Sequence, residues 1–240
     1  MSQHDKGSSR LLLDWTDQTK DKFIAALNNL IQMPDVKIGP EDWWCPDHDQ
    51  HPKECQTGEL PQCVLTESIQ KKVHLWWLPQ GQERNTPNWD FISSATIAEK
   101  PGLVIMEAKS HRHEFNTGAK RLNKGASIQS QQNHRHIQQA IAKANNDLQS
   151  RYTDIHITID RHYQLANRIA YAWKFATLGI PVVLIFLGFI KDTEMDGYFQ
   201  DKSDWTACMT NYIDGVFPSE LLEKDIKCPP SFFRFLIRSL

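Results

Sequence analysis

Apolar positions along the chain follow first a helical rhythm, then an extended one, then a helical one again. Phe23, Leu27, Leu30 and Ile31 recur at helical spacing, with Asp14 or Thr16 available as N-cap. The Met33-Pro34 step ends that helix. Leu65, Ile69, Val73 and Trp76 form a second helical set, running into an extended HLWWLP segment. NWDFISSATI (88–97) and LVIMEAKS (103–110) then have strand character. AEKPG between them is a turn signal, with Pro101-Gly102 suited to adjacent turn positions, so the two stretches predict a hairpin. Ile137, Ile141, Ala144 and Leu148 mark another helix, and Leu165, Ile169, Trp173 and Ala176 a further one closed by Gly179. IPVVLIFLGFI (180–190) is apolar on both faces, like the centre of a covered sheet. Trp205, Met209, Tyr212, Ile213 and Val216 give a last helix, and the tail FFRFLIRSL is apolar enough to dock.

The order helix, hairpin, helix, helix, strand, helix predicts an α/β layered fold with a mixed sheet. Residues 35–63, with Pro40, Pro46, Pro52 and Pro61, read as an irregular Pro/Cys/His-rich surface insertion. Residues 1–10 read as a disordered tail, leaving 11–240 as a single domain. A formal net charge of -2 argues against a globally basic nucleic-acid coat but leaves local patches open. MSQHDKGSSR has no apolar core of a signal peptide, and the run 180–190 is too short to span a bilayer, so the reading is no membrane and a cytoplasmic protein. Five Cys give no tidy disulfide framework, in keeping with a reducing compartment.

One strand carries chemistry. Side chains alternate along a strand, so Leu103, Ile105, Glu107 and Lys109 share a face that starts apolar and ends in two charges. Asp90, in the partner strand of the hairpin, brings a second carboxylate toward them. Two carboxylates repel unless a cation sits between them, and Mg²⁺ favours such hard oxygen ligands. A metal held there can activate water against a phosphate, with Lys109 stabilising the anion that forms.

Asp90…Glu107-Ala108-Lys109 resembles the PD-(D/E)xK motif of restriction-endonuclease-like nucleases, and residues 60–190 are similar in order to that family's α-β-β-β-α-β core. The PD of the motif reads Trp89-Asp90 here, with Pro87 two residues earlier. The resemblance implies a three-layer core with a mixed central sheet flanked by helices, and a Mg²⁺- or Mn²⁺-dependent nuclease acting on DNA ahead of RNA. It implies Asp90, Glu107 and the Ala108 carbonyl as metal ligands and Lys109 as the catalytic lysine. By the same resemblance Glu67, or less well Glu41, stands for an acid on the preceding helix, and Gln132 or Asn133 for a polar group on the following one, with His134 as a proton carrier. A homodimer is one assembly that the family suggests.

Residues 108–136 carry Lys109, Arg112, Lys120, Arg121, Lys124 and Arg135 against one acid, Glu114. That strip suits a phosphate backbone or, residue by residue, a solvated loop. Arg168, in YQLANR, can reach a phosphate or lie over Trp173. Cys45, His48, His51 and Cys55, with Cys63 nearby, have the ligand types of a structural zinc site but tight spacing; buried thiols are the simpler reading. Trp43-Trp44 and Trp76-Trp77 can stack on bases, and core anchoring is the alternative. Two other functions stay open: a non-catalytic module binding nucleic acid or protein, and a zinc-loop interaction protein in which Glu107 and Lys109 form only a salt bridge.

Overall fold

The computed structural model describes residues 6–46, 55–56, 60–61, 65–78 and 86–240. Helices α1 (Ser8–Thr16), α2 (Lys20–Ile31), α3 (Glu67–Trp77), α4 (Ile128–Gln149), α5 (Tyr163–Thr177) and α6 (Lys202–Ile213) alternate with strands β1 (Val36–Lys37), β2 (Trp44–Cys45), β3 (Cys55–Gln56), β4 (Asn88–Trp89), β5 (Phe91–Ile97), β6 (Lys100–Lys109), β7 (Val182–Gly188), β8 (Ile226–Cys228) and β9 (Ser231–Ser239). The result is a mixed α/β fold, a curled mixed sheet flanked by helices.

Seven strands form the main sheet in the order β1-β5-β6-β7-β9-β8, with β2 also on β5. The hairpin β5–β6 is antiparallel, from Ile97↔Lys100 to Phe91↔Met106. Its turn is Ala98-Glu99, both at positive φ (48° and 63°), as a two-residue turn matching the strand twist requires. Pro101-Gly102 therefore does not turn; it pairs with Thr96 and Ala95 inside the ladder. Gly102 serves close approach instead, since a Cβ there would lie 2.7 Å from the Pro181 carbonyl oxygen. Strand β7 runs parallel to β6, from Leu103↔Val182 to Lys109↔Gly188, and β9 runs parallel to β7. The C-terminal stretch is thus an integral strand, more than a docked tail.

Alternation along the sheet builds a core on each face. Leu103, Ile105, Val182, Leu184 and Phe186 pack with residues of α3 to α6, while Val104, Met106, Val183, Ile185 and Leu187 pack with Leu12, Phe23 and Leu27 of α1 and α2. Among the described residues, no helix is long and apolar enough to cross a membrane.

The N-terminal region departs from expectation. Two helices replace one: Thr16 bonds back to the Leu13 carbonyl at 2.9 Å, and the chain restarts with Thr19 as N-cap of α2. Residues 8–10 are helical and not a tail, because Ser8 Oγ donates to Glu114 Oε1 at 2.8 Å and pins α1 against the end of β6. Within 35–63, short strands β1 and β2 pair with β5, and β3 pairs with β4. Cys45 and Cys55 form a disulfide, which neither the odd cysteine count nor the reducing setting anticipated.

Gly188 closes β7 against the indole of Trp205, where a Cβ would clash with the ring. Overpacking of this kind costs about 1–3 kcal/mol. Gly188→Ala is therefore expected to lower the urea midpoint and the melting temperature, and a variant as stable as the parent would show that the α6–β7 contact yields freely.

Candidate active site

Glu107 and Lys109 close the helix-side face of β6, and both are buried, 1% and 4% exposed. Lys109 Nζ donates to Glu107 Oε1, as does Gln164 Nε2. Arg168 Nε donates to Glu107 Oε2 at 2.7 Å. Gln164 and Arg168 lie four residues apart on α5 and so share a face, which is why both reach one carboxylate. The Arg168 guanidinium also donates to the Asn88 carbonyl at 2.7 Å and lies 4.6 Å from the Trp89 ring centroid. It is not over Trp173.

Asp90 stands where β4 gives way to β5. Its Oδ2 accepts the Ala108 N–H at 2.7 Å, which ties the second carboxylate across the hairpin to the Glu107–Lys109 segment. Burial pushes the Glu107 carboxyl up, but Arg168 and then Lys109 outweigh it and hold the pKa below the ordinary value. Burial likewise works against the Lys109 ammonium, yet attraction to Glu107, then Asp90, raises its pKa. Both groups are therefore ionised at neutral pH.

These residues line a cavity of about 620 Å³, together with Ser8 and Ser9 of α1, Glu114, Lys120, Tyr163 and Asn167. A second cavity of about 360 Å³ shares Lys120 and Ile137 with the first and is lined by Arg121, Leu122, Asn133 and His134. Lys120 Nζ sits 4.7 Å from the Tyr163 ring centroid, and burial lowers its pKa.

The sequence-derived candidates thus divide. Asp90, Glu107, Lys109 and Arg168 come together, with Ala108 supplying its N–H. Lys120 faces both cavities, whereas Asn133, His134 and Arg121 border only the second. Glu67 is exposed in the first turn of α3 and Glu41 is exposed too; neither lines the cavity. Arg112 pairs with Asp204 and donates to the Tyr198 carbonyl at 2.9 Å, holding the turn before α6. Lys124 and Arg135 are exposed, and Gln132 is half-buried on α4. Trp77 is buried, while Trp76 packs among Trp77, Tyr171 and Trp173 and Trp44 packs on Phe23, so these rings anchor the core. The disulfide takes both thiolates of Cys45 and Cys55 away from a zinc ion; His48, His51 and Cys63 lie outside the described residues.

Sequence reasoning missed Gln164, Asn167, Glu114, Asn88 and Ser8. The spacing of Gln164 and Arg168 in YQLANR was a signal for the first; nothing local announces that Ser8 would cross to Glu114.

Removing Arg168 leaves a buried, half-compensated carboxylate, a loss of about 3–5 kcal/mol. Arg168→Met is expected to lower stability by that order, and Glu107→Gln in the same chain to recover part of it. Because the folded-state pKa of Glu107 is lowered, its contribution is present above the ordinary glutamate value, about 4.3, and is lost as pH falls below it. Urea titrations from pH 7 to pH 3 should show a shallower acid loss in Glu107→Gln than in the parent; identical slopes would remove Glu107 from the acid response.

No protein-family model, no curated protein and no solved structure matches this chain.

Proposed function

We propose that the chain is a metal-dependent phosphodiesterase of the PD-(D/E)xK kind acting on nucleic acid, DNA ahead of RNA. The observation that carries this reading is the Asp90 carboxylate bonded to the Ala108 N–H between Glu107 and a buried Lys109, at the wall of a cavity. The hairpin β5–β6, two following helices and a parallel β7 support the same family likeness.

Among the described residues, no group of three or more His, Cys, Asp or Glu is disposed to hold a metal. Two carboxylates still fit Mg²⁺ or Mn²⁺, since Mg²⁺ commonly takes one or two carboxylates plus substrate phosphates and keeps several waters. Asp90 and Glu107 would hold it, with the Ala108 carbonyl as the resemblance implies. Bound there, the ion would supply Lewis acidity toward water and phosphate. Lys109 stabilises negative charge gathering on the phosphate oxygens and orients the attacking water. Arg168 and Gln164 are positioning residues, holding both Glu107 oxygens in place. Since Lys109 and Arg168 already neutralise Glu107, a dication binds weakly until substrate phosphate adds negative charge.

That same neutralisation favours a second reading, a non-catalytic nucleic-acid- or protein-binding module on the same fold. The two part in one experiment. Purified protein is incubated with supercoiled plasmid and single-stranded DNA in Mg²⁺, Mn²⁺ or EDTA, beside Glu107→Ala, Lys109→Ala and Asp90→Asn, each checked for folding by its melting curve. Cleavage should need metal and fall by about 10²–10³-fold or more in each folded variant. Cleavage that persists in pure Glu107→Ala would sink the hydrolase reading, and nucleic-acid binding without cleavage in any metal would establish the module.

A further inference from the structure

We infer that the substrate enters as a single strand, threaded from the second cavity over Lys120 into the cavity of Glu107 and Lys109, and not as an intact duplex. The inference deepens the cleavage reading above and rests on it.

Depth is the first observation. Glu107 and Lys109 are 1% and 4% exposed, and Ser8 and Ser9 of α1 border the same cavity. A phosphate fixed on the outside of a rigid duplex reaches side chains so nearly enclosed less readily. A strand free of its complement can bend its backbone in.

The path is the second. The two cavities, about 620 and 360 Å³, share Lys120 and Ile137, so they adjoin. Between Glu114 and Asp147 the sequence holds no acid at all, yet carries Lys120, Arg121, Lys124, Arg135 and Lys143. Among the described residues, this acid-free segment supplies nearly all of the wall of the second cavity, including Arg121 and the exposed apolar Leu122. A positive groove draws a strand's phosphates, and its apolar side chains can cover bases that have no complement.

The third observation concerns what the first cavity lacks. Asn167 is 5% exposed and lines it, and its Oδ1 has no hydrogen-bond partner among the described residues; nor has Gln164 Oε1, whose amide nitrogen is spent on Glu107. A buried acceptor without a donor is costly. Unpaired bases bring N–H donors on edges that a duplex keeps engaged in pairing.

The test measures binding and cutting separately. Fluorescence anisotropy in EDTA compares a labelled single-stranded DNA oligonucleotide, the blunt duplex of the same sequence, and that duplex with a single-stranded extension. Cutting of the same three, and of an RNA strand of equal sequence, is followed in Mn²⁺. The exposed double variant Arg121→Glu/Lys124→Glu serves as the path probe. Expected are single strand and extension bound at least about tenfold more tightly than blunt duplex, cutting confined to unpaired segments, and a salt slope lowered by about one per lost phosphate contact in the variant. Blunt duplex cut internally as fast as single strand would overturn the threaded path while leaving the hydrolase reading intact. Single-strand binding that weakens in the variant, with no cutting in any metal, would keep the path and overturn the hydrolase. Equal affinity for all three DNAs, unchanged in the variant, would overturn the path.

Discussion

Everything at the site hangs on one buried negative charge. A carboxylate as enclosed as that of Glu107 survives ionised only if its surroundings replace the water it has lost. Three donors do so, from Lys109, Gln164 and Arg168. Each donor imposes a geometric demand. Lys109 fixes the strand end, Gln164 and Arg168 fix the rotation of α5, and the Arg168 bond to the Asn88 carbonyl fixes β4. The position of Asp90, one residue beyond β4, follows from that chain of demands.

The sheet answers the same constraint from beneath. Strand β6 buries side chains on both faces, so a slip of one residue would exchange the two faces and turn Glu107 and Lys109 into the opposite core. Close backbone contacts keep the register: Gly102 meets Pro181 at one end, and Gly188, opposite Lys109, meets Trp205 at the other. The charged end of the strand is thereby held by apolar packing that has no chemistry of its own.

Much of this was legible in the sequence because it is local. The hairpin, the doubly apolar strand and the helices α3 to α6 each announce themselves by a period, and the shared face of Glu107 and Lys109 follows from strand alternation alone. What was hidden depends on distance along the chain. Arg168 reaches Glu107 across 61 positions and Ser8 reaches Glu114 across 106, and no periodicity records such meetings. The turn was misplaced by the pull of Pro101-Gly102, while Ala98-Glu99, a poor turn pair by composition, adopted positive φ because the register on either side required it. The C-terminal stretch reads as an apolar tail in sequence because its strand partner, β7, is not its neighbour there.

The disulfide has a bearing on the carboxylate as well. Cys45 lies opposite Ile92 in the β2–β5 pair, and Cys55 lies opposite Trp89 in the β3–β4 pair. Those two partners flank Asp90. Bridge, strand pairings and the short run of chain from Trp89 to Ile92 therefore close a ring with Asp90 on its rim. A residue between two strands, ordinarily the loosest part of a sheet, is hooped on both sides. Thiol reductant would open the hoop at the Cys45–Cys55 bridge, so the stiffness with which Asp90 faces Glu107 answers to the oxidation state of those two sulfurs.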